Sequence, residues 1–232
     1  MRCSAVVLAA GKGSRMNSDK LKQYMELDGY PLLYYPLLAF EKSRVDEIVL
    51  VTGEGEEGYC RAKIIEKYQF HKVKKIVPGG GERYLSVYQG LLAVNDTDIV
   101  LIHDGARPFL DQEIIERTIC AAEQFGSGVA AMPVKDTIKI ADEDQFVLQT
   151  PDRSRLWMMQ TPQTFSYSKI RAAYEKIVAK GQSVTDDAMA MELAFGEKVK
   201  LVEGSYRNIK VTTQEDWAIA EVFCQRRNSK KK

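Results

Sequence analysis

Short apolar runs recur along the chain, separated by segments in which apolar residues return every three or four positions. Ala5–Leu8, Glu47–Val51, Val73–Val77, Asp98–His103, Gly128–Met132 and Lys198–Val202 read as strands. Between them, Pro31–Phe40 carries Leu32, Leu33, Leu37, Leu38 and Phe40 at helical spacing, and Gly58–Tyr68 sets Ile64, Ile65 and Tyr68 on one face. Glu82–Val94 repeats the pattern with Leu85, Tyr88, Leu91 and Leu92, and Asp111 is placed to cap a helix carrying Ile114, Ile115 and Ile119. Further helices are predicted over Lys169–Lys180, Asp186–Phe195 and Glu215–Cys224, with Trp157–Phe165 returning to the core. Strands that are apolar on both faces and alternate with helices predict an α/β fold: a Rossmann-like, mainly parallel sheet flanked by helices.

The rhythm breaks at about residues 133–156. Val134–Ile140 alternates like a half-exposed strand, Asp142–Asp144 is a polar turn, and Phe146–Thr150 can return antiparallel. A hairpin of this kind is marginal by itself. The expectation is an inserted β-arm that packs on a second subunit and makes the protein a homodimer, within a single domain spanning 1–232.

Composition narrows the classes. The net charge of +1 gives no bulk electrostatic case for nucleic acid or a membrane surface. The basic end, Arg226–Lys232, reads as a solvated terminus. Four cysteines, Cys3, Cys60, Cys120 and Cys224, show neither paired metal-ligand spacing nor a nearby histidine cluster. The chain runs directly into its first strand, and no apolar run is long enough to span a bilayer. These features lead to the expectation of a cytoplasmic protein with reduced thiols.

Four segments of unusual composition follow predicted strands, where ligands bind in open α/β sheets. The first is Leu8–Met16 (LAAGKGSRM), with Lys20 and Lys22 close behind. Its bare backbone suits either a tight turn or a cradle for a polyphosphate. It matches neither the Walker P-loop nor the full dinucleotide fingerprint, whose third glycine position holds Met16. The second is Pro78–Arg83 (PGGGER), a flexible turn or a backbone surface for a nucleobase. In the third, His103–Pro108 (HDGARP), Asp104 suits either a turn cap or a place beside a divalent cation, and Arg107 either a substrate phosphate or a neighbouring acid. In the fourth, Lys210 sits in a strand-like apolar context, Asn208–Thr212, where a lysine needs a partner. No serine or cysteine nucleophile motif accompanies His71 or His103, so a triad hydrolase has no support, and His103 reads as a packing or hydrogen-bonding group.

With these segments in view, the chain resembles the 2-C-methyl-D-erythritol 4-phosphate cytidylyltransferase family. The resemblance rests on LAAGKGSRM, HDGARP, PVKDTIK (Pro133–Lys139), LWMMQTPQTF (Leu156–Phe165), TDDA (Thr185–Ala188) and NIKVTTQED (Asn208–Asp216), and covers Val6 to about Glu221. It implies transfer of CMP from CTP to methylerythritol phosphate, with pyrophosphate released and magnesium as cofactor, in non-mevalonate isoprenoid biosynthesis. By resemblance, Arg15, Lys22 and Lys210 are catalytic cations. Ala9, Ala10, Gly11, Gly13, Gly80, Gly81 and Ser86 surround CTP. Asp104, Arg107, Thr161 and Thr185 belong to the substrate region, with Asp104 also beside the metal, which is held mainly through phosphates. Thr137 and Arg153 reach in from the partner subunit. The sequence departs from the family pattern at Leu21, Gly81 and Arg207. A ribitol 5-phosphate cytidylyltransferase shares the opening loop and the HDGARP type of motif, while the arm and the LWMMQTPQTF stretch favour the erythritol enzyme. An inactive nucleotide-binding protein is the alternative outside catalysis.

The chemistry suits such residues. A phosphomonoester, with a second pKa near ~6, is mostly dianionic at neutral pH and needs no general base. The reaction instead needs fixed positive charge to bring two anions together.

Overall fold

The computed structural model describes residues 1–11 and 21–229. Among them, the main sheet has seven strands: β1 (Cys3–Ala9), β4 (Glu47–Thr52), β5 (Val73–Pro78), β6 (Ile99–Asp104), β7 (Ser127–Pro133), β10 (Trp157–Ser166) and β11 (Leu201–Glu203). Their order is β11-β7-β10-β6-β1-β4-β5. Pairing is parallel throughout except around β10, which runs antiparallel to both β6 and β7. The predicted mainly parallel α/β sheet is therefore borne out, with one reversed strand that the apolar pattern of Trp157–Phe165 did not orient.

Alternation along β1 assigns the two faces. Cys3, Ala5, Val7 and Ala9 pack against Leu37 and Phe40 of α1 (Tyr34–Glu41) and Ile114, Ile115 and Ile119 of α4 (Gln112–Phe125). Val6 faces the opposite layer, with Val87 and Leu91 of α3 (Arg83–Ala93), Ile170, Tyr174 and Ile177 of α5 (Tyr167–Ala179), and Met191 of α6 (Asp187–Phe195). A smaller cluster joins Leu27 and Leu32, near the short β2–β3 pair (Glu26–Leu27 and Tyr30–Pro31), to Ala220 and Cys224 of α7 (Gln214–Ser229). Asp111 caps α4 as expected, its Oδ1 accepting from Ile114 N at 2.8 Å. The same helix ends on Gly126, whose φ of 79° is one that glycine adopts without strain.

Three segments differ from the sequence reading. The helix expected over Gly58–Tyr68 begins as α2 (Glu57–Cys60) and continues as a wider π-helical run, Arg61–Glu66. Asn208–Val211 forms no strand, because its backbone is drawn into side-chain and loop contacts described below. The arm does form a hairpin, but its paired part is short: β8 (Ile140–Ala141) against β9 (Val147–Gln149). Residues 134–139 lie outside regular structure.

Candidate active site

β1 and β6 are neighbours, with Leu8 opposite Asp104. From β1 the chain moves outward to β4 and β5, then returns to β6 on the other side of β1. Such a reversal of direction opens a crevice beyond the carboxyl ends of the two strands. A hollow of about 420 Å³ lies there, walled by Leu8–Gly11, Lys22 and Gln23 on one side and Gly80–Arg83 and Ser86 on the other. Asp104, Ala106 and Lys210 complete it. A second hollow, about 360 Å³, lies between α1, Pro108–Gln112 and Arg207 and includes none of the glycine stretches.

Two glycines allow the walls to come this close. Gly105 N donates to Leu8 O at 2.8 Å, and a Cβ at Gly105 would sit 2.8 Å from that oxygen. A Cβ at Gly80 would fall 2.4 Å from Leu85 Cβ. Ser86 holds the loop from within: its Oγ accepts from Gly80 N at 3.1 Å and donates to Glu82 O at 3.1 Å. The first turn of α3 follows directly, so the free N–H groups of a helix start border the hollow.

The floor is a buried ionic network. Asp104 Oδ1 accepts from Arg83 Nε at 3.1 Å, and Oδ2 meets Lys210 Nζ at 2.9 Å and Arg107 Nε at 3.8 Å. Arg83 turns its other two nitrogens onto Asp187, both at 3.0 Å, and Tyr174 donates to Asp187 from behind at 2.5 Å. Three cations against two carboxylates leave this network with one net positive charge. Burial opposes the charge on Asp104, but Arg83, Lys210 and Arg107 outweigh it and hold the carboxyl well below the usual carboxylate range. Burial likewise works against Arg83, and Asp187 and Asp104 more than compensate. Burial pushes the Tyr174 phenol up, reinforced by Asp187, so it stays a neutral donor.

A second set of buried polar groups holds Lys210 and Asp104 from beneath. Arg107 Nη1 donates to Asn208 O at 2.8 Å, and Asn208 Nδ2 donates to Thr161 O at 2.9 Å. Thr161 Oγ1 accepts from Asp104 N at 3.1 Å. That leaves its hydroxyl hydrogen for His103 Nδ1, 3.0 Å away, while His103 Nε2 faces Arg107 O at 3.4 Å. Burial pushes the His103 pKa down to about 3, so the ring is neutral, with Nε2 as the donor in this network. His103 is a structural group, in agreement with the sequence reading.

The expected site residues divide into four groups. Ala9, Ala10, Gly11, Lys22, Gly80, Gly81, Ser86, Asp104 and Lys210 all line the hollow. Arg107 and Thr161 lie behind it: the Arg107 side chain is 11% exposed and bonds to the Asn208 carbonyl, and Thr161 is 3% exposed under the Asp104 amide. Thr185, exposed ahead of α6, bonds to Met189 Sδ at 3.4 Å, while Thr137 and Arg153 lie on the exposed arm. Gly13 and Arg15 fall outside the described residues. Sequence reasoning passed over Arg83 and Asp187 as individual residues. One signal was present: Asp186 and Asp187 adjoin a helix start, and Asp186 alone makes the cap, to Met189 N at 2.9 Å. The second acid then needs a cation once it is buried.

Comparison with known proteins agrees with this geometry. The family model for 2-C-methyl-D-erythritol 4-phosphate cytidylyltransferase matches residues 3–226. The cytidylyltransferase of that name from Alkaliphilus oremlandii is 48% identical over 228 residues, 97% of this chain and 96% of the relative. That from Caldanaerobacter subterraneus is 47% identical, over 97% and 100% of the two chains. Among solved structures, the 4-diphosphocytidyl-2C-methyl-D-erythritol synthase of Anaerococcus prevotii superposes with a TM-score of 0.85 at 38% identity, over 97% of this chain and 96% of that one. The Thermus thermophilus cytidylyltransferase superposes with a TM-score of 0.79 at 28% identity, covering 97% and 100%. With a match over nearly its whole length and a crevice at the expected strand ends, this chain belongs to the 2-C-methyl-D-erythritol 4-phosphate cytidylyltransferase family.

Proposed function

We propose that the chain, acting as one catalytic domain, transfers CMP from CTP to 2-C-methyl-D-erythritol 4-phosphate, giving 4-diphosphocytidyl-2-C-methyl-D-erythritol and pyrophosphate. The observation that carries this reading is the crevice beyond β1 and β6, in which Lys22 and Lys210 share one hollow with two glycine-rich loops.

In this reading a phosphate oxygen of the polyol substrate attacks the α-phosphorus of CTP, and the bond from that phosphorus to the β-phosphate bridging oxygen breaks. Negative charge grows on the departing pyrophosphate. Lys22 and Lys210, with Arg15 on the opening loop, offset that charge and hold the two anions in line. Backbone N–H groups of Ala9–Gly11, with Gly13, follow the triphosphate, and Gly80, Gly81 and Ser86 border the base and ribose. Asp104, Arg107, Thr161 and Thr185 form the polyol side. Arg107 and Thr161 act there by fixing Lys210 and Asp104, given their contacts behind the hollow. Thr137 and Arg153 complete the site from a second copy, so the active species is a homodimer joined through the arm.

Magnesium would fit here as an ion held mainly by the substrate's phosphates. The hollow offers Asp104 and Glu82 but no cluster of three ligating side chains among the described residues. A hard cation of this kind takes few carboxylates and completes its shell with phosphate and water. Asp104 is the residue that would stand beside such an ion, which would supply neutralisation of phosphate charge. The reading includes an enzyme working in the cytoplasm; no helix among the described residues is long and apolar enough to cross a membrane.

The test is pyrophosphate release measured across nucleoside triphosphates and polyol phosphates. Turnover is expected with CTP and methylerythritol phosphate. Turnover with ribitol 5-phosphate alone would transfer the assignment to that polyol, and no release with any pair would leave a nucleotide-binding protein.

A further inference from the structure

Lys22 reaches the crevice from a single short turn, Lys22–Tyr24. One helical turn has little stability of its own, and a lysine carries a flexible four-carbon stem. Its charge works at a reacting phosphate only if the backbone beneath it is fixed. On the inner side, Leu33 N donates to Gln23 O at 3.0 Å and Leu32 N to Met25 O at 2.9 Å.

On the outer side the anchor is Glu56, a residue that no sequence pattern picked out. It lies after β4, at the start of α2. Its Oε2 accepts from the Tyr24 hydroxyl at 2.6 Å and faces Gln23 Nε2 at 3.4 Å. The Tyr24 oxygen lies 2.9 Å from Cys60 Sγ. With its hydrogen given to the carboxylate, Tyr24 accepts from the thiol. The carboxylate is folded back over Gly53, where a Cβ would come within 2.4 Å of Oε1. Both residues that follow Lys22 in its turn are thus gripped by one side chain from another strand end. Burial, with Cys60 and Glu56 adding to it, pushes the Tyr24 phenol far above its usual range, so it remains a donor at any working pH.

Resting on the reading of Lys22 as a catalytic cation, we infer that Glu56 is a positioning residue for Lys22: through Tyr24 and Gln23 it fixes the turn from which the lysine addresses the triphosphate. Glu56 touches no reacting atom. A charge-assisted bond from a phenol to a carboxylate is about twice as strong as a neutral one, which suits a lateral anchor on a short turn.

The experiment is steady-state kinetics of full-length Glu56→Ala, Glu56→Gln and Tyr24→Phe, each alone and in a Lys22→Ala background. Glu56→Ala and Tyr24→Phe are expected to lower turnover by about tenfold or more, since small misplacements of a catalytic group cost up to about a hundredfold. Glu56→Gln is expected to recover most of the activity, because its amide oxygen still accepts from Tyr24. In the Lys22→Ala background, Glu56→Ala and Tyr24→Phe should cause no further loss. Equal fold-losses in both backgrounds, or unchanged turnover in Glu56→Ala and Tyr24→Phe, would overturn the inference while leaving Lys22 in place. Normal turnover of Lys22→Ala alone would overturn the reading of Lys22, and this inference with it. If Glu56→Ala fails to fold, Tyr24→Phe carries the same test.

Discussion

Around Asp104, two carboxylates, Asp104 and Asp187, are buried and held in ion pairs. On the hairpin at Ile140–Gln149, large apolar side chains stand in the open, with Phe146 72% and Leu148 66% exposed. Each arrangement reverses the ordinary preference of its residues. Burying Asp104 and Asp187 costs desolvation that only close cations offset, so this wall has its geometry before any ligand arrives. Exposing Phe146, Val147 and Leu148 gains nothing within one chain, and exposed apolar patches mark surfaces that another molecule covers. The crevice floor is completed by the fold, whereas the arm is completed, under the proposal above, by a second copy.

The comparison can be broken most sharply at the crevice. Lys22→Ala and Lys210→Ala are each expected to lower turnover by on the order of 100- to 1000-fold, the scale of losing one fixed charge at a reacting phosphate. A pyrophosphate-release assay measures it, and near-normal turnover would remove that lysine from the site. Folding should be little affected in Lys22→Ala.

Asp187→Ala attacks the same wall through stability. Removing one partner of a buried pair is expected to cost about 3–5 kcal/mol, because Arg83 keeps its charge without its bidentate partner. Denaturant titration reads this directly, and a loss below about 1 kcal/mol would show that water takes over the role of Asp187.

Acid should expose the same design. The folded-state pKa of His103 is lowered from 6.5 to about 3, so in that window the unfolded chain binds the extra proton and stability falls as pH drops. Asp104, also depressed, adds its share below its ordinary 3.8, where the folded carboxylate resists protonation. Unfolding free energy measured against pH should therefore decline from about pH 6.5 downward. His103→Gln should flatten the upper part of that decline. An unchanged profile in this variant would mean that His103 titrates alike in both states.

The smallest effect on folding is expected at the arm. Phe146→Ser with Leu148→Ser should leave the stability of a single chain within about 0.5 kcal/mol, as for exposed positions generally. The same pair should weaken self-association in light scattering. A dimer that persists unchanged would move the interface elsewhere.

Much of the fold was legible because it rests on local alternation. The strands of the sheet and the helices between them follow from runs such as Ile99–Ile102 and repeats such as Ile114, Ile115 and Ile119. Asp111 announced its own cap. The glycine stretches were legible as candidate walls of a crevice because they follow strand ends, and Gly11, Gly80 and Gly81 do line one. The reversed direction of β10 was not, since an apolar strand reads the same whichever way it runs. Nor was the shortness of the β8–β9 pairing, because alternation in sequence does not state how many residues find a partner.

For the site, the sequence by itself determined which residue types were on hand: bare loops, the cations Lys22 and Lys210, and the acid Asp104. Tertiary structure alone decided their pairing. Lys210 comes within 2.9 Å of Asp104 across 106 positions of chain, Arg83 reaches Asp187 across 104, and Glu56 grips Tyr24 across 32. Local pattern reports periodicity and turn chemistry, which act over a few residues. Ion pairing and burial depend on which strand ends the sheet order brings together, and that order is a property of the whole packed chain.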